Sequence, residues 1–209
     1  MTSTTRPRLT LPPVPINTRV YLGLGSNADR QANLTFAVRE LSEQLSDLRC
    51  SPVYANADAA YGGAEYLNLV VTGTTTLEPA MLLGWLKRLE TRTGRDRVLV
   101  SRVSLDIDLL LYGELVGKHG GATLPHPSIL VHAHVLKPLA DLAPRLLHPT
   151  RGEAMLPLWH GLERKAPLIR IDSSSLVSSG VRQPLSHSPV RVPGVSPQPA
   201  SGPPAVAGR

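Results

Sequence analysis

Residues 103–112 read VSLDIDLLLY, and polar and apolar side chains alternate over residues 103–109 of this run. Alternation of this kind predicts a β-strand with one face on a core and the other face open. The open face carries Ser104, Asp106 and Asp108, and its two carboxylates are expected about 7 Å apart at Cα. The core face carries Val103, Leu105, Ile107, Leu109 and Leu111. The strand therefore presents a pair of acids on one surface of a sheet.

The chain before this strand predicts a helix and a hairpin. Leucines recur at helical spacing between Pro79 and Gly94, which are placed to start and to end the helix. Residues 66–75 (YLNLVVTGTT) are rich in β-branched side chains and predict a strand, and residues 50–55 predict a shorter one. We expect these two strands to pair across the irregular stretch 56–65.

Three further segments complete the order of elements. Residues 19–25 (RVYLGLG) predict the first strand, and residues 34–45 carry leucine and valine at spacings of 4, 3 and 4, which predicts a helix. A third helix is expected at 134–142. The order strand, helix, strand, strand, helix, strand predicts an α+β ferredoxin-like sandwich, an antiparallel sheet with helices packed on one face.

Composition divides the chain into one domain and two extensions. Residues 1–16 contain four prolines, and residues 166–209 are dominated by Pro, Ser, Gly and Val without a regular period, so we expect both to be disordered. The ordered domain is expected to span residues 17–165.

The basic character of the chain lies mostly in these extensions. The formal net charge is +6, but residues 17–165 hold 16 basic and 15 acidic residues. Aromatic residues make up only 4% of the chain, which leaves little material for base stacking. We therefore expect no nucleic-acid partner.

Apolar runs and cysteine content indicate the compartment. No run approaches the roughly 20 apolar residues of a membrane-spanning helix, and no signal-peptide pattern opens the chain. Cys50 is the single cysteine, which excludes an internal disulfide and is typical of a reducing compartment. The expectation is a cytoplasmic monomer with no membrane partner, in which Cys50 is a buried strand thiol.

The two aspartates and the basic residues before them suggest phosphate chemistry. Two like charges on one surface are best explained by a shared cation, and magnesium is typically held by one or two carboxylates plus substrate phosphates. Arginines supply forked donors to phosphate oxygens. The basic residues are Lys87, Arg88, Arg92, Arg95, Arg97 and Arg102. The alternatives are a solvent-facing strand with two ordinary acids and a solvated basic helix end.

Other patterns exclude two common kinds of site. The four histidines within residues 119–134 match no helical zinc spacing and have no cysteine partners. No G-x4-G-K-[ST] pattern occurs, so a P-loop kinase is disfavoured. Residues 23–27 (GLGSN) end the first strand, where backbone amides and small polar side chains can meet a ligand.

Four stretches occur in an order and at a spacing that match a known family. They are YLGLGSN at 21–27, EYLN at 65–68, LETRTGRDR at 89–97 running on to LDIDLLLY at 105–112, and LPHP at 124–127 with KPL at 137–139. In these stretches the chain resembles the 6-hydroxymethyl-7,8-dihydropterin pyrophosphokinases, as a divergent member.

The resemblance implies a reaction and a set of site residues. The reaction is magnesium-dependent transfer of pyrophosphate from ATP to the hydroxymethyl group of the reduced pterin, with release of AMP, in folate synthesis. By this resemblance Asp106 and Asp108 are catalytic residues that bind two magnesium ions, and Arg95 and Arg97 are catalytic residues that contact phosphates. The positions that match ATP contacts are Lys87, Glu90, Arg102 and His126. The positions that match the pterin pocket are Gly25, Asn56, Tyr66, Asn68 and His134.

The chain departs from the family pattern at several of these places. The family's Thr-Pro pair falls on residues 56–57, and Arg102 stands one residue farther from the aspartates than usual. The arginine that usually follows His126 is missing, and Ser128 stands nearby. His132 and His134 occupy positions where the family prefers an arginine and an aromatic residue. Two other functions are therefore considered: a phosphotransferase acting on another heterocyclic alcohol, and a non-catalytic protein that binds pterin or nucleotide.

Overall fold

The computed structural model describes residues 17–58, 63–94, 103–162 and 167–172. The predicted extension at 1–16 lies outside this description, as do residues 173–209 of the predicted extension at 166–209. The strands are β1 (Thr18–Ser26), β2 (Ser46–Cys50), β3 (Val53–Asp58), β4 (Gly63–Thr75), β5 (Asp106–Tyr112), β6 (Gly117–His119), β7 (Ala122–Leu124) and β8 (Ile169–Ile171). The helices are α1 (Arg30–Gln44), α2 (Pro79–Arg92), α3 (Ala133–Leu142) and α4 (Met155–Gly161), with a 3₁₀ turn at Pro127–Leu130. None of the helices in the described ranges has the length and hydropathy to cross a bilayer.

The main sheet has the predicted topology. Its strands lie in the order β5-β1-β4-β3-β8, with β2 also pairing to the long strand β4, and every pairing is antiparallel. The four strands β5, β1, β4 and β3 together with α1 and α2 reproduce the split βαβ order. The α+β ferredoxin-like architecture is confirmed. Strands β6 and β7 form a separate hairpin that the sequence did not predict.

Helices cover both faces of this sheet, so the prediction of helices on one face is wrong. Val20, Leu22 and Leu24 of β1 pack in the core with α1 and α2, whereas Tyr21 packs with α3 and α4. A central strand that is apolar on both sides needs a second helical layer. That layer consists of the predicted third helix and of α4, which the sequence analysis missed.

Strand β5 contains a bulge that changes which side chains share a face. Its register against β1 shifts between Leu109 and Leu111, which leaves Leu110 as the extra residue. Leu110 and Leu111 both pack under α3, and Tyr112 returns to the opposite core. The expectation that Leu111 shares a face with Leu109 was therefore wrong, because a bulge interrupts the alternation.

The segment predicted as one strand at 50–55 is two strands. Pro52 interrupts the pairing because it has no backbone N–H, and the Ser51 hydroxyl accepts a hydrogen bond from the Val70 N–H at 2.9 Å. Beyond this break β3 pairs with β8. The sheet therefore includes Ile169–Ile171, three residues of the segment that the sequence analysis assigned to the tail.

The single cysteine is a buried strand thiol, in agreement with the sequence interpretation. Cys50 ends β2 and is 9% exposed. Burial raises the pKa of its thiol to about 12. At neutral pH the side chain is thus a protonated, unreactive part of the core.

Candidate active site

One row of residues crosses four neighbouring strands. Asp106 on β5 pairs with Gly25 on β1, Gly25 pairs with Asn68 on β4, and Asn68 pairs with Tyr54 on β3. Residues directly opposite each other in antiparallel strands point to the same face. Since strands lie about 4.8 Å apart, Asp106 and Asn68 are about 10 Å apart at Cα. An acid and an amide thus face the same side of the sheet with a glycine between them.

The glycines of β1 leave the centre of this row without side chains. A Cβ atom at Gly25 would lie 3.3 Å from Asn68 Oδ1 and 3.9 Å from the Tyr66 ring. At Gly23, which pairs with Asp108, a Cβ atom would contact the Leu110 side chain at 3.4 Å. Leu110 therefore covers Gly23, whereas the surface at Gly25, between Asp106 and Asn68, is bare backbone that a flat ligand can approach closely; we call this surface the floor.

The two carboxylates stand on one side of this floor. Asp106 and Asp108 are both partly exposed, and they are separated by the buried Ile107. Burial and the neighbouring Asp106 raise the pKa of the Asp108 carboxyl above its usual range, although His126 and Lys87 oppose that effect. Burial and the charge of Asp106 therefore both disfavour an uncompensated carboxylate at Asp108.

This donor set suits a hard divalent cation. Carboxylate oxygens on alternate residues of one strand can reach the same ion, and Asp108 keeps 44% of its side chain exposed. Magnesium keeps several waters and completes its shell with substrate phosphates, so two carboxylates are a sufficient protein contribution. The residues present therefore fit the implied metal.

Glu90 lies behind the acid pair and is almost fully buried. It is 2% exposed, its Oε1 accepts a hydrogen bond from the Ile107 N–H at 3.0 Å, and its Oε2 accepts one from Lys87 Nζ at 3.3 Å. Ile107 is the residue between Asp106 and Asp108. The structure thus ties α2 to the backbone of the acid pair through Glu90, which sequence reasoning had placed among the ATP contacts.

A cavity of about 410 Å³ opens beside Asp108. Apolar side chains from α2 and β5 form one wall, and the β6–β7 hairpin forms another. Its polar side chains are Asp108, Lys87, His126 and Thr123. The cavity therefore brings two of the predicted ATP-binding residues next to a predicted metal ligand, with an apolar wall suited to a flat aromatic base.

His126 is fixed by the turn that follows it. Its Nδ1 accepts a hydrogen bond from the Ser128 N–H at 3.3 Å and lies 2.6 Å from the Ser128 hydroxyl. Its Nε2 lies 3.9 Å from Asp108 Oδ1. The contacts with Ser128 therefore hold the imidazole with its Nε2 toward Asp108.

The opposite side of the floor carries amides and a tyrosine. Asn68 is 7% exposed, and its Nδ2 donates a short hydrogen bond to Asn56 Oδ1 on β3. Tyr66 pairs with Asn56 and borders the space above Gly25. The structure therefore brings together four of the five residues predicted for the pterin pocket.

The fifth residue, His134, lies in the first turn of α3. Its ring stacks on that of His132, with centroids 5.1 Å apart and ring planes at 19°. Burial and the neighbouring His132 lower the pKa of His134 to about 4. At neutral pH His134 therefore presents an uncharged ring.

Acid should destabilise the protein through His134. Its pKa of about 4 lies below the usual 6.5, so between these values the unfolded chain binds a proton that the folded chain does not. Stability is then lost as the pH falls through this window. We expect His134→Phe to reduce the drop in unfolding free energy between about pH 7 and about pH 4.5, measured by urea unfolding. His160→Gln, at an exposed histidine, serves as the control, and an unchanged pH dependence in His134→Phe would contradict the assignment.

Ser26 and Asn27 hold the backbone that leads into β5. The Ser26 hydroxyl donates to the Ser104 carbonyl at 2.5 Å, and Asn27 Oδ1 accepts from the Val103 N–H at 2.7 Å. Asn33 adds a bond to the Ser104 carbonyl at 2.8 Å. Ser26 and Asn27, which the sequence suggested as possible ligand contacts, thus anchor the start of the acidic strand together with Asn33.

A group of contacts that sequence reasoning missed fixes α3 against the sheet. The buried Tyr54, which ends the row described above, donates a short hydrogen bond to Asp141 of α3. Asp141 also pairs with Lys137 Nζ at 2.6 Å, and this ammonium lies 5.7 Å from the Tyr54 ring and 5.6 Å from the Trp159 ring. The only sequence signal was the i, i+4 spacing of Lys137 and Asp141. Helix α3 is therefore held in place near Asn68.

The predicted phosphate-binding arginines Arg95, Arg97 and Arg102 lie outside the described residues. The helix before them ends at Arg92, whose guanidinium pairs with Glu40 of α1 at 2.5 Å. The strand after them begins at Asp106. The segment that carries the arginines is thus bounded on one side by α2 and on the other by the acid pair.

Comparisons with known proteins identify the family of the chain. Residues 21–144 match the family model of 7,8-dihydro-6-hydroxymethylpterin-pyrophosphokinase. The chain is 34% identical over 133 residues to the 2-amino-4-hydroxy-6-hydroxymethyldihydropteridine pyrophosphokinase of Aquifex aeolicus, covering 62% of this chain and 83% of that protein. It is 36% identical over 138 residues to the protein of the same name from Pseudomonas aeruginosa, covering 63% and 84%. The chain belongs to the 7,8-dihydro-6-hydroxymethylpterin-pyrophosphokinase family.

Solved structures show the same fold. The wild-type HPPK-DHPS protein of Plasmodium falciparum with pteroate superposes with a TM-score of 0.55 at 13% identity. The match covers 72% of this chain and 43% of that one, so this chain spans less than half of the Plasmodium protein. At this identity the likeness concerns the fold alone.

Proposed function

We propose that this chain transfers a pyrophosphoryl group from ATP to the hydroxymethyl group of 6-hydroxymethyl-7,8-dihydropterin, releases AMP and serves folate synthesis. Membership of the family and the names of the relatives support an ATP-dependent pyrophosphokinase with small-molecule substrates. The observation that carries the proposal is the row Asp106, Gly25, Asn68. It sets acidic oxygens and a buried amide on one face of the sheet with a bare floor between them.

In this proposal Asp106 and Asp108 hold two magnesium ions. Bound magnesium would offset the charge of the ATP phosphates and of the leaving AMP. The protein's part is to keep both carboxylates on one face, which the β5 register and the Glu90 contact to Ile107 accomplish. Arg95, Arg97 and Arg102 follow α2 directly in sequence, and we assign them to the phosphates as forked donors.

The nucleotide is assigned to the cavity beside Asp108. Its apolar wall of Leu83, Leu86 and Leu109 offers dispersion contacts to a flat base, while Lys87 and His126 offer charge and hydrogen bonds near the phosphates. Glu90 acts behind this surface: it holds Lys87 and the Ile107 backbone.

The pterin is assigned to the other side of the floor. Asn68 supplies an amide for the ring edge, Tyr66 borders the space above Gly25, and Asn56 is hydrogen-bonded to Asn68. His134 contributes an uncharged ring from α3, which can pack against a heterocycle with a smaller face than a phenyl ring offers.

The reaction then requires no covalent intermediate on the protein. The hydroxyl oxygen of the pterin attacks the β-phosphorus and its proton is released to solvent, while the bond from that phosphorus to the α-phosphate oxygen breaks and AMP leaves with that oxygen. The chain contributes by aligning the two substrates along the row. Alignment of this kind is the main source of rate in phosphoryl transfer.

Turnover of the purified chain tests the proposal. The protein is incubated with ATP, magnesium and 6-hydroxymethyl-7,8-dihydropterin, and AMP and the pterin diphosphate ester are followed by ³¹P NMR. AMP should appear only when pterin and magnesium are both present. Binding of ATP without AMP formation would favour the non-catalytic alternative, and AMP formation with another heterocyclic alcohol alone would favour a different substrate.

A further inference from the structure

The two asparagines of the pterin side form a directed pair. Asn68 Nδ2 donates to Asn56 Oδ1, and the two residues lie on neighbouring strands, β4 and β3. A side-chain amide has one donor end and one acceptor end, so a bond made by the donor end settles which way the acceptor end points. Asn68 is 7% exposed, so this choice is made in a buried setting where an unmatched polar atom is costly.

The acceptor end of Asn68 points over the bare floor. Its Oδ1 would lie 3.3 Å from a Cβ atom at Gly25, the glycine opposite Asn68 in the β1–β4 pairing. An oxygen in this position can accept a hydrogen bond from a ligand that lies on the floor. A ligand that presented only an acceptor atom there would be disfavoured, because two acceptors cannot share a hydrogen bond.

We propose that Asn56 is a positioning residue that holds the Asn68 amide with its oxygen toward the ligand, so that the pocket selects heterocycles with an N–H donor at this edge. The inference rests on the proposed function and deepens it, since it names the residue that sets the hydrogen-bond polarity of the pterin side. It also gives a role to Asn56, where the family pattern has threonine.

Three variants separate orientation from packing. Asn56→Leu removes the acceptor and keeps the size of the side chain. Asn56→Asp keeps an acceptor oxygen at this position and removes the amide N–H donors, because an ionised carboxylate only accepts hydrogen bonds. Glu114→Ala, at an exposed residue beyond the end of β5, serves as the unrelated control.

The steady-state constants give the first readout. We expect Asn56→Leu to raise the KM for the reduced pterin about 10- to 100-fold while kcat and the KM for ATP change less than about 3-fold. Asn56→Asp should recover most of the lost affinity. Equal KM values in the wild type and Asn56→Leu, or equal losses in the leucine and aspartate variants, would overturn the proposal.

Binding measurements separate this inference from the proposed activity. Wild-type protein is titrated with the reduced pterin and with an analogue methylated at the ring N–H, and the Asn68 side-chain amide protons are followed by NMR. The wild type and Asn56→Asp should prefer the unmethylated ring and protect the Asn68 amide from exchange, and Asn56→Leu should lose both properties. If the wild type binds pterin but releases no AMP, the proposed activity is refuted. The binding results still test the role of Asn56 in that case. Loss of amide protection in Asn56→Asp, or its retention in Asn56→Leu, would count against the role.

Discussion

Replacing either Asp106 or Asp108 with alanine should reduce pyrophosphoryl transfer by roughly 1000-fold or more while the protein remains folded. The two carboxylates stand on one face of β5, and the pKa of Asp108 is raised by burial and by Asp106. Removing one acid leaves too few oxygen ligands to hold a divalent cation against the phosphates. The measurement is AMP formation, together with ATP titrations with and without magnesium.

Stability distinguishes loss of the site from loss of the fold in these variants. Because Asp106 and Asp108 repel each other without a cation, Asp108→Asn should match or exceed the wild type in melting temperature when no magnesium is present. Glu114→Ala is the control for removing an exposed carboxylate near the end of the same strand. Magnesium-dependent ATP affinity that survives in Asp106→Ala and Asp108→Ala would refute metal ligation by this pair.

Glu90→Ala should lower both stability and activity. The alanine leaves the Ile107 N–H without its buried carboxylate acceptor and opens a small cavity between α2 and β5. We expect a loss of about 2–4 kcal/mol in unfolding free energy. Because Ile107 lies between the two aspartates, a shift of its backbone should also reduce kcat by about 10- to 100-fold.

Glu90→Gln is the matched variant for this prediction. Its amide oxygen can still accept from Ile107, so urea unfolding should show a smaller loss than in Glu90→Ala. If glutamine and alanine cost the same stability, the hydrogen bond to Ile107 does not carry the effect. If Glu90→Ala alters ATP affinity without altering stability, Glu90 contacts the nucleotide directly, as the sequence resemblance implies.

Local periodicity was enough to predict the sheet order but not the second helical layer. The spacing of leucines in α1 and α2 and the alternation in β5 depend on neighbouring residues, and both appear in the structure. The α3–α4 layer and the bulge at Leu110 depend on pairing and packing between distant segments, which a periodic pattern does not record. Pro52 did carry a local signal for the strand break, because proline cannot donate in a ladder.

For the candidate site too, the sequence predicted the features that depend on neighbouring residues and missed those that depend on distant ones. Asp106 and Asp108 lie on one face as alternation predicts, and the EYLN stretch places Tyr66 and Asn68 beside Gly25. Glu90 follows Leu82 and Leu86 at spacings of four, so the helical period places it on the buried stripe of α2, but an apolar pattern does not predict a buried carboxylate there. The Tyr54–Asp141 contact joins residues 87 positions apart, and only the three-dimensional structure reveals it.

The row from Asp106 through Gly25 to Asn68 also limits how this site can change during evolution. Its length equals two strand separations, and main-chain hydrogen bonds fix that distance whatever side chains the strands carry. Single substitutions can alter which groups the pterin side binds, as Asn56 and His134 illustrate. A substrate pair with a longer reach would instead require another strand to be inserted between β5 and β4.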